Sequence, residues 1–422
     1  MLISVENFKS IEQVVSVDIS NLTVLAGVNS SGKSSLIQAL LLLKQTLNFS
    51  SNEMLCLNGP YVYADSLFDL MHNKKLGNMK FVLSLTQKEL SGLDASFPYA
   101  VESIEISVSF RVRPDSYVLS EFRVNLISDD CLCGGFSIVR RARKPTYDVH
   151  VDSSEIKDVE LDNYSFANFF PIFANKDGNT YKFGLVKAVR DMLVAYFDKI
   201  VYIAPLRVAP VLARTYKTDV ETKYVLPDGE NTRFILDKMS GDRERLNFVK
   251  EWLCNRFRLA KDIKVVKESG ELYRVVVTSN ENVKVDLMHM GFGLSQILPI
   301  ITQGCISSPN SLLIVEDPDV HMHPSIQAAM ADFFIFLCRY RKVSVLVETH
   351  SDHFITRIRR RIAEKEMPFS DVHLIFVINE FGSSIYKSIL LSDEGRLEGS
   401  MPPGFLDTRD SDFKAILEAN RR

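Results

Sequence analysis

Apolar and polar residues alternate over 2–8 and 14–19, and the chain then reaches the apolar run Leu22-Thr-Val-Leu-Ala26. Period-two alternation with β-branched content predicts strands in all three places. From Lys33 the pattern changes to Ser-Ser-Leu-Ile-Gln-Ala-Leu-Leu-Leu-Leu-Lys, free of Gly and Pro and apolar on nearly every face. That composition predicts a buried helix. Alternation returns between 80 and 151, most clearly over 103–113, 117–127 and 135–141, and predicts an antiparallel β region. A helix is expected over 183–197 and a strand over 200–204, with Pro205 and Pro210 breaking regular structure after it. Helical patterning over 230–260 precedes a hairpin over 263–287 that turns at Ser269-Gly270. The remainder alternates strand and helix: strands over 311–315, 344–347 and 372–378, helices over 325–340 and 354–363.

This order predicts an α/β fold whose core is a mostly parallel sheet, with an antiparallel β subdomain and an inserted helical and β arm. Three regions are expected: an N-terminal lobe at 1–151, an inserted α/β arm at 152–285 and a C-terminal lobe at 286–422. No internal repeat, low-complexity tract or sustained heptad pattern interrupts this reading.

Composition narrows the classes without choosing among them. The 422 residues are 46% hydrophobic and 24% charged, as in a globular protein with a sizeable core. A formal charge of -3 gives no protein-wide positive field, so any polyanion must be held by local patches. Two are candidates: Arg140, Arg141, Arg143 and Lys144, and Arg357, Arg359, Arg360 and Arg361. A solvated face or a helix end is the plainer reading of each. The six cysteines form no Cys-x-x-Cys pair, which argues against a zinc ribbon or a disulfide scaffold. With no signal-like N-terminus and no long apolar run near it, a cytoplasmic protein without membrane contact is expected.

Specific chemistry begins at Gly27-Val-Asn-Ser-Ser-Gly32-Lys33-Ser34, which fits G-x-x-x-x-G-K-[ST] between a predicted strand and a predicted helix. The glycines let backbone N–H groups wrap phosphates and the helix N-terminus adds positive potential. Lys33 neutralises the β and γ oxygens and the Ser34 hydroxyl ligates Mg²⁺. ATP with Mg²⁺ is the expected ligand pair, and Asn29, Ser30, Ser31, Gly32, Lys33, Ser34 and Ser35 are the candidate nucleotide contacts.

A P-loop needs a carboxylate on a second strand, and Ser311-Leu-Leu-Ile-Val-Glu316-Asp317 supplies an apolar strand ending in two acids. Glu316 is the expected metal-side carboxylate, joining Ser34. Asp317 stands where a water-polarising acid is needed, and it is one methylene shorter than the glutamate common there, so slow hydrolysis is expected. The next strand, Ser344-Val-Leu-Val-Glu348-Thr-His350, ends in a histidine able to reach the γ-phosphate, with Glu348 as a further water-positioning candidate. Glu316, Asp317 and His350 form the candidate catalytic set. Met290-Gly291-Phe-Gly293-Leu-Ser295-Gln296 is a small-residue turn leading into a helical Ile297-Leu-Pro-Ile, and Gly293 and Ser295 are candidate phosphate contacts. His321 and His323 could chelate a metal, but with no further Cys or His near them a dimer-contacting loop is the better reading.

Together, the opening Ile3-Ser-Val-Glu-Asn-Phe-Lys-Ser10, the P-loop, the Gly291 turn, Glu316-Asp-Pro-Asp-Val-His-Met-His-Pro324 and Glu348-Thr-His-Ser-Asp-His353 resemble the RecF, SMC and OLD-type ABC ATPases. Tyr202-Ile-Ala-Pro-Leu-Arg207 and Pro402-Pro-Gly-Phe-Leu-Asp407 resemble the stand-alone bacterial ATPases of phage-defence cassettes such as the Septu type. The resemblance implies a homodimer, or a higher assembly, in which the Gly291 turn of one subunit closes over the ATP of the other. It further implies an anti-phage switch controlling a separate effector, a nuclease. The acidic pair departs from the usual Asp-Glu order, and the turn is not the transporter-type Leu-Ser-Gly-Gly-Gln. About seventy residues follow His350, too few for the Toprim nuclease of OLD proteins. The alternative is a RecF-like DNA clamp of DNA repair, with nucleic acid as a partner.

Overall fold

A computed structural model describes residues 1–48, 53–91, 101–128, 131–141, 146–151, 154–160, 166–171, 184–207, 223–267, 273–289, 292–399 and 415–419. The chain divides into two compact units, each discontinuous in sequence. The first comprises Met1–Ile19, Ser30–Ile200 and Asn379–Tyr386, and the second Ser20–Asn29, Val201–Ile378 and Lys387–Arg422.

The first unit carries an eight-stranded sheet. Its strands are β1 (Leu2–Glu6), β2 (Val15–Asp18), β4 (Gly77–Thr86), β5 (Ser103–Arg113), β6 (Ser116–Ser128), β7 (Cys131–Arg140), β8 (Thr146–Val151) and β9 (Ser154–Glu160), in the order β2-β1-β4-β5-β6-β7-β8-β9. All seven neighbouring pairs are antiparallel, and the alternation read in the sequence is the alternation of the sheet's two faces. The inward positions Phe81, Phe110, Phe122 and Phe136 are fully or almost fully buried. The helix Lys33–Asn48 is buried at most of its positions, as its all-round apolar pattern requires. Its Lys44 Nζ is also buried and donates to the carbonyl of Phe197, at the end of the helix Gly184–Asp198, at 2.7 Å. A buried ammonium without such an acceptor would be costly.

The second unit is built on the seven-stranded sheet β12-β16-β17-β3-β18-β19-β20, where β3 is Leu22–Ala26, β12 Ile200–Ile203, β16 Leu312–Glu316, β17 Ser344–Thr349, β18 Val372–Glu380, β19 Ser383–Leu391 and β20 Leu397–Glu398. The β16–β17, β17–β3 and β3–β18 pairs are parallel, which fits strands apolar along their whole length. All five residues of β3 and of β16 are buried. The helices Thr232–Lys238 and Arg243–Lys250 and a three-stranded sheet, β13 (Asp262–Lys267), β14 (Tyr273–Thr278) and β15 (Lys284–Asp286), share this unit's core through Ile235, Val249, Val275 and Val277. Phe333, on the helix Pro324–Arg341, centres that core, with Trp252 edge-on at 4.9 Å.

Two local features differ from the sequence expectation. The helix expected from Ile297 begins at Phe292, so Gly293 and Ser295 lie in its first turn. Pro299 sits inside that helix, whose residues from Leu294 to Ile301 are buried, so tertiary packing outweighs the local penalties of Gly and Pro. The strand β19 pairs next to β18 although its alternation, Ser-Ile-Tyr-Lys-Ser-Ile, was not read as a strand. No helix among the described residues is long and apolar enough to cross a membrane.

Candidate ATPase site

Parallel register determines which residues meet at one sheet edge in the second unit. Glu316, the last residue of β16, pairs with Glu348 of β17, and Thr349 pairs with Ala26, the last residue of β3. The carboxyl ends of three neighbouring strands thus converge, at the edge where open α/β sheets bind ligands. Gly27, Val28 and Asn29 leave from this edge, so the P-loop starts beside the acidic strand ends.

The remaining P-loop residues belong to the first unit and are held by a segment far along the chain. Ser384 Oγ donates to the carbonyl of Ser31 at 2.6 Å, and Tyr386 Oη donates to the carbonyl of Gly32 at 2.6 Å. Ser384 is anchored by its own N–H, which donates to Ser10 O at 2.7 Å. Ser10 Oγ in turn lies 2.7 Å from Ser35 Oγ. These two bonds fix the backbone at Ser31 and Gly32, the stretch of loop that a phosphate would meet. Gly32 adopts φ +97°, and a Cβ there would lie 1.9 Å from Ser384 Oγ and 2.2 Å from Ser10 Oγ, so no other residue fits. The Ser31 hydroxyl is buried and has no hydrogen-bond partner among the described residues. A glycine cradle with a buried, unused donor fits a phosphate chain. Lys33 and Ser34 open the helix at its first two positions, and Lys33 is buried.

Around the acidic strand ends, Glu316 is buried and its Oε1 accepts from Tyr202 Oη at 3.0 Å. Burial and then the Glu316 charge push the Tyr202 phenol well above its ordinary range, so it stays protonated and donating. Asp317 has left-handed backbone, φ 45°, and its N–H donates to Glu348 O at 2.9 Å. Its Oδ1 lies 3.9 Å from His350 Nε2. Asp317, Glu348 and His350 each place one ligand atom within 4.8 Å of the others. Such a set can organise a water or take a divalent cation.

The residues either side of His350 are pinned. Thr349 Oγ1 donates to Asp319 Oδ1 at 2.7 Å, and Ser351 Oγ donates to Gln327 Oε1 at 2.7 Å. Burial raises the Asp319 carboxyl above the usual range, against the lowering effect of the Thr349 bond. Gly293 lies beside this loop, where a Cβ would be 3.5 Å from Met322 Sδ, while Ser295 is buried. Met290 and Gly291 lie outside the described residues. His323 caps the helix Pro324–Arg341, its side chain accepting from Ser325 N, and neither it nor His321 joins a metal-binding group among the described residues.

Three residues in these contacts were not assigned a site role from sequence: Tyr202, Ser384 and Tyr386. The Tyr202–Arg207 stretch was visible only as part of a resemblance. Ser384 is 353 positions from the loop it holds, and no local pattern signals that contact.

A family model described as AAA ATPase domain matches residues 1–205 and 211–355. No curated protein matches the chain. Similar solved structures include an Smc head bound to the C-terminal winged-helix domain of ScpA, with 13% identity, covering 93% of this chain and 97% of that one at a TM-score of 0.48. The SMC head domain from Thermotoga maritima has 11% identity and a TM-score of 0.41, covering 92% and 98%. An Smc head with an extended coiled coil from Pyrococcus furiosus, bound to the C-terminal domain of ScpA, has 12% identity and a TM-score of 0.47, covering 100% and 99%. The family match spans most of the sequence, including the P-loop and both acidic strand ends. The chain belongs to the AAA ATPase domain family, and it is an ATPase.

Proposed function

We propose that this protein is an ABC-type, ATP-dependent dimeric switch of bacterial anti-phage defence, cytoplasmic, hydrolysing ATP slowly and controlling a separate effector nuclease. The observation that carries the switch is the convergence of Glu316, Asp317, Glu348 and His350 at the sheet edge from which the P-loop departs. The defence role rests on the sequence resemblance.

In this reading Asn29 to Ser35 bind the triphosphate, with Lys33 neutralising charge and the loop N–H groups, oriented by Ser384 and Tyr386, cradling it. Mg²⁺, when bound, screens the phosphate oxygens and polarises the scissile bond. Ser34 and Glu316 would hold it, the Glu316 side chain being fixed by Tyr202. Asp317 accepts a hydrogen bond from the attacking water and His350 orients the pair. Gly293 and Ser295 mark the helix start that meets the partner subunit's nucleotide.

The DNA-clamp alternative drew support from basic clusters, and the arginines of these clusters that lie among the described residues are engaged within the chain. Arg357 and Arg361 both pair with Asp332, Arg360 pairs with Glu364, and Arg359 donates to Gly395 O. Arg141 pairs with Asp148 at 2.8 Å, while Arg143 and Lys144 lie outside the described residues. These pairings favour the switch.

The defence role is tested by plating efficiency of a phage panel on cells carrying the gene with its neighbouring genes, wild type against Lys33→Ala. Plaque reduction by wild type alone is expected. Equal plating across the whole panel would remove the defence assignment and leave the ATPase.

A further inference from the structure

β12 and the segment after it brace the acidic strand end twice. Tyr202 fixes the Glu316 side chain, and Arg207 fixes the backbone of the turn that follows: its Nη2 donates to Glu316 O at 2.6 Å and Asp317 O at 3.3 Å. The Arg207 carbonyl accepts from Gln296 Nε2 at 3.0 Å, and Gln296 is buried in the first turn of the helix Phe292–Ile306. One residue thus joins the helix start bearing Gly293 and Ser295 to the turn bearing Asp317.

Two observations indicate that this contact matters beyond packing. Arg207 is 3% exposed, and burying a guanidinium costs several kcal/mol unless charge and hydrogen bonds offset it. Burial draws it down to about 10, against the raising effect of Asp317, so it remains a cation at neutral pH. Asp317 is held at φ 45°, a left-handed conformation uncommon outside glycine and more accessible to aspartate than to most residues. A cation donating to the two carbonyls of that peptide pair supplies the constraint.

We infer that Arg207 is a positioning residue for hydrolysis: it holds the Glu316–Asp317 turn in its left-handed form and relays to it the placement of the Gln296 helix start. Ordering that helix start then aligns Asp317, while nucleotide affinity, set by the P-loop, is untouched. This rests on the role proposed above for Asp317 as the acid that orients the attacking water. The guanidinium matters for its shape and reach, because its rigid plane fills the buried site and sets Nη2 against both carbonyls, whereas a lysine ammonium ends a flexible stem and leaves that volume unfilled.

The test uses the full chain as wild type, Arg207→Ala, Arg207→Lys and Lys33→Ala, with phosphate release measured against ATP concentration. Binding of a fluorescent non-hydrolysable ATP analogue and thermal melting are measured in parallel. For Arg207→Ala, kcat is expected to fall about ten- to hundredfold, the range for a lost charge-assisted bond at a buried site, with analogue affinity within about twofold of wild type. Millimolar guanidinium should restore part of the rate, and Arg207→Lys should fold normally yet remain impaired in kcat. A wild-type kcat in either folded variant overturns the inference, as does a loss of analogue binding that matches the loss of rate. If Arg207→Ala does not fold, Arg207→Lys decides on the same two readouts. Failure of ATP to dimerise the wild type would refute the dimeric reading and leave the ratio of variant to wild-type kcat measurable.

Discussion

At residue scale the phosphate cradle depends on the absence of an atom. Gly32 has a left-handed φ, and its Cα faces the Ser384 and Ser10 hydroxyls at distances no Cβ tolerates. Gly32→Ala is therefore expected to abolish binding of the fluorescent ATP analogue while lowering the melting temperature only slightly, because the clash lies in a loop outside the hydrophobic core. Calorimetry and titration on one preparation check both parts; retained affinity would show that the loop reaches the phosphates by another conformation. The glycine and lysine of this loop were legible in sequence because their function is local, a short spacing between a strand and a helix. Glu316, Asp317 and His350 were legible because each ends a strongly apolar strand. Tyr202, Arg207, Ser384 and Tyr386 were not, because each acts on a residue more than 100 positions away, a relation that only the folded chain creates.

At the scale of elements, strong periodicity was the reliable signal. The strand Ser103–Arg113 and the helix Lys33–Asn48 follow their patterns closely, since each has a long run of one period. Reading failed where packing overrode local preference, as at Phe292–Ile306 with its internal Pro299, and where alternation was broken by serines, as in β19. That strand has a specific task, since Ser384 and Tyr386 brace the P-loop from it. Tyr386→Phe keeps the ring and removes the donor to Gly32 O, so ATP affinity should weaken by about three- to tenfold, the worth of one partly buried hydrogen bond. Equilibrium titration measures this directly, and an unchanged affinity would mean that Ser384 alone orients the loop.

At the scale of the whole molecule, both compact units are assembled from separated stretches of chain, and the P-loop passes from one to the other between Asn29 and Ser30. Linear composition could not reveal that division, because it depends on the parallel pairing of β3 with β17 and β18. The net charge of -3 and the pairing of Arg357, Arg360 and Arg361 within the chain weigh against direct DNA binding, and self-association is the proposed response to ATP. The most direct measurement is particle mass by light scattering with and without ATP and Mg²⁺, for wild type, Glu316→Gln and Lys33→Ala. The account predicts a dimer that forms or is stabilised with ATP in wild type, persists longer in Glu316→Gln and does not respond to ATP in Lys33→Ala. A mass unaffected by ATP in wild type and Glu316→Gln alike would contradict the switch.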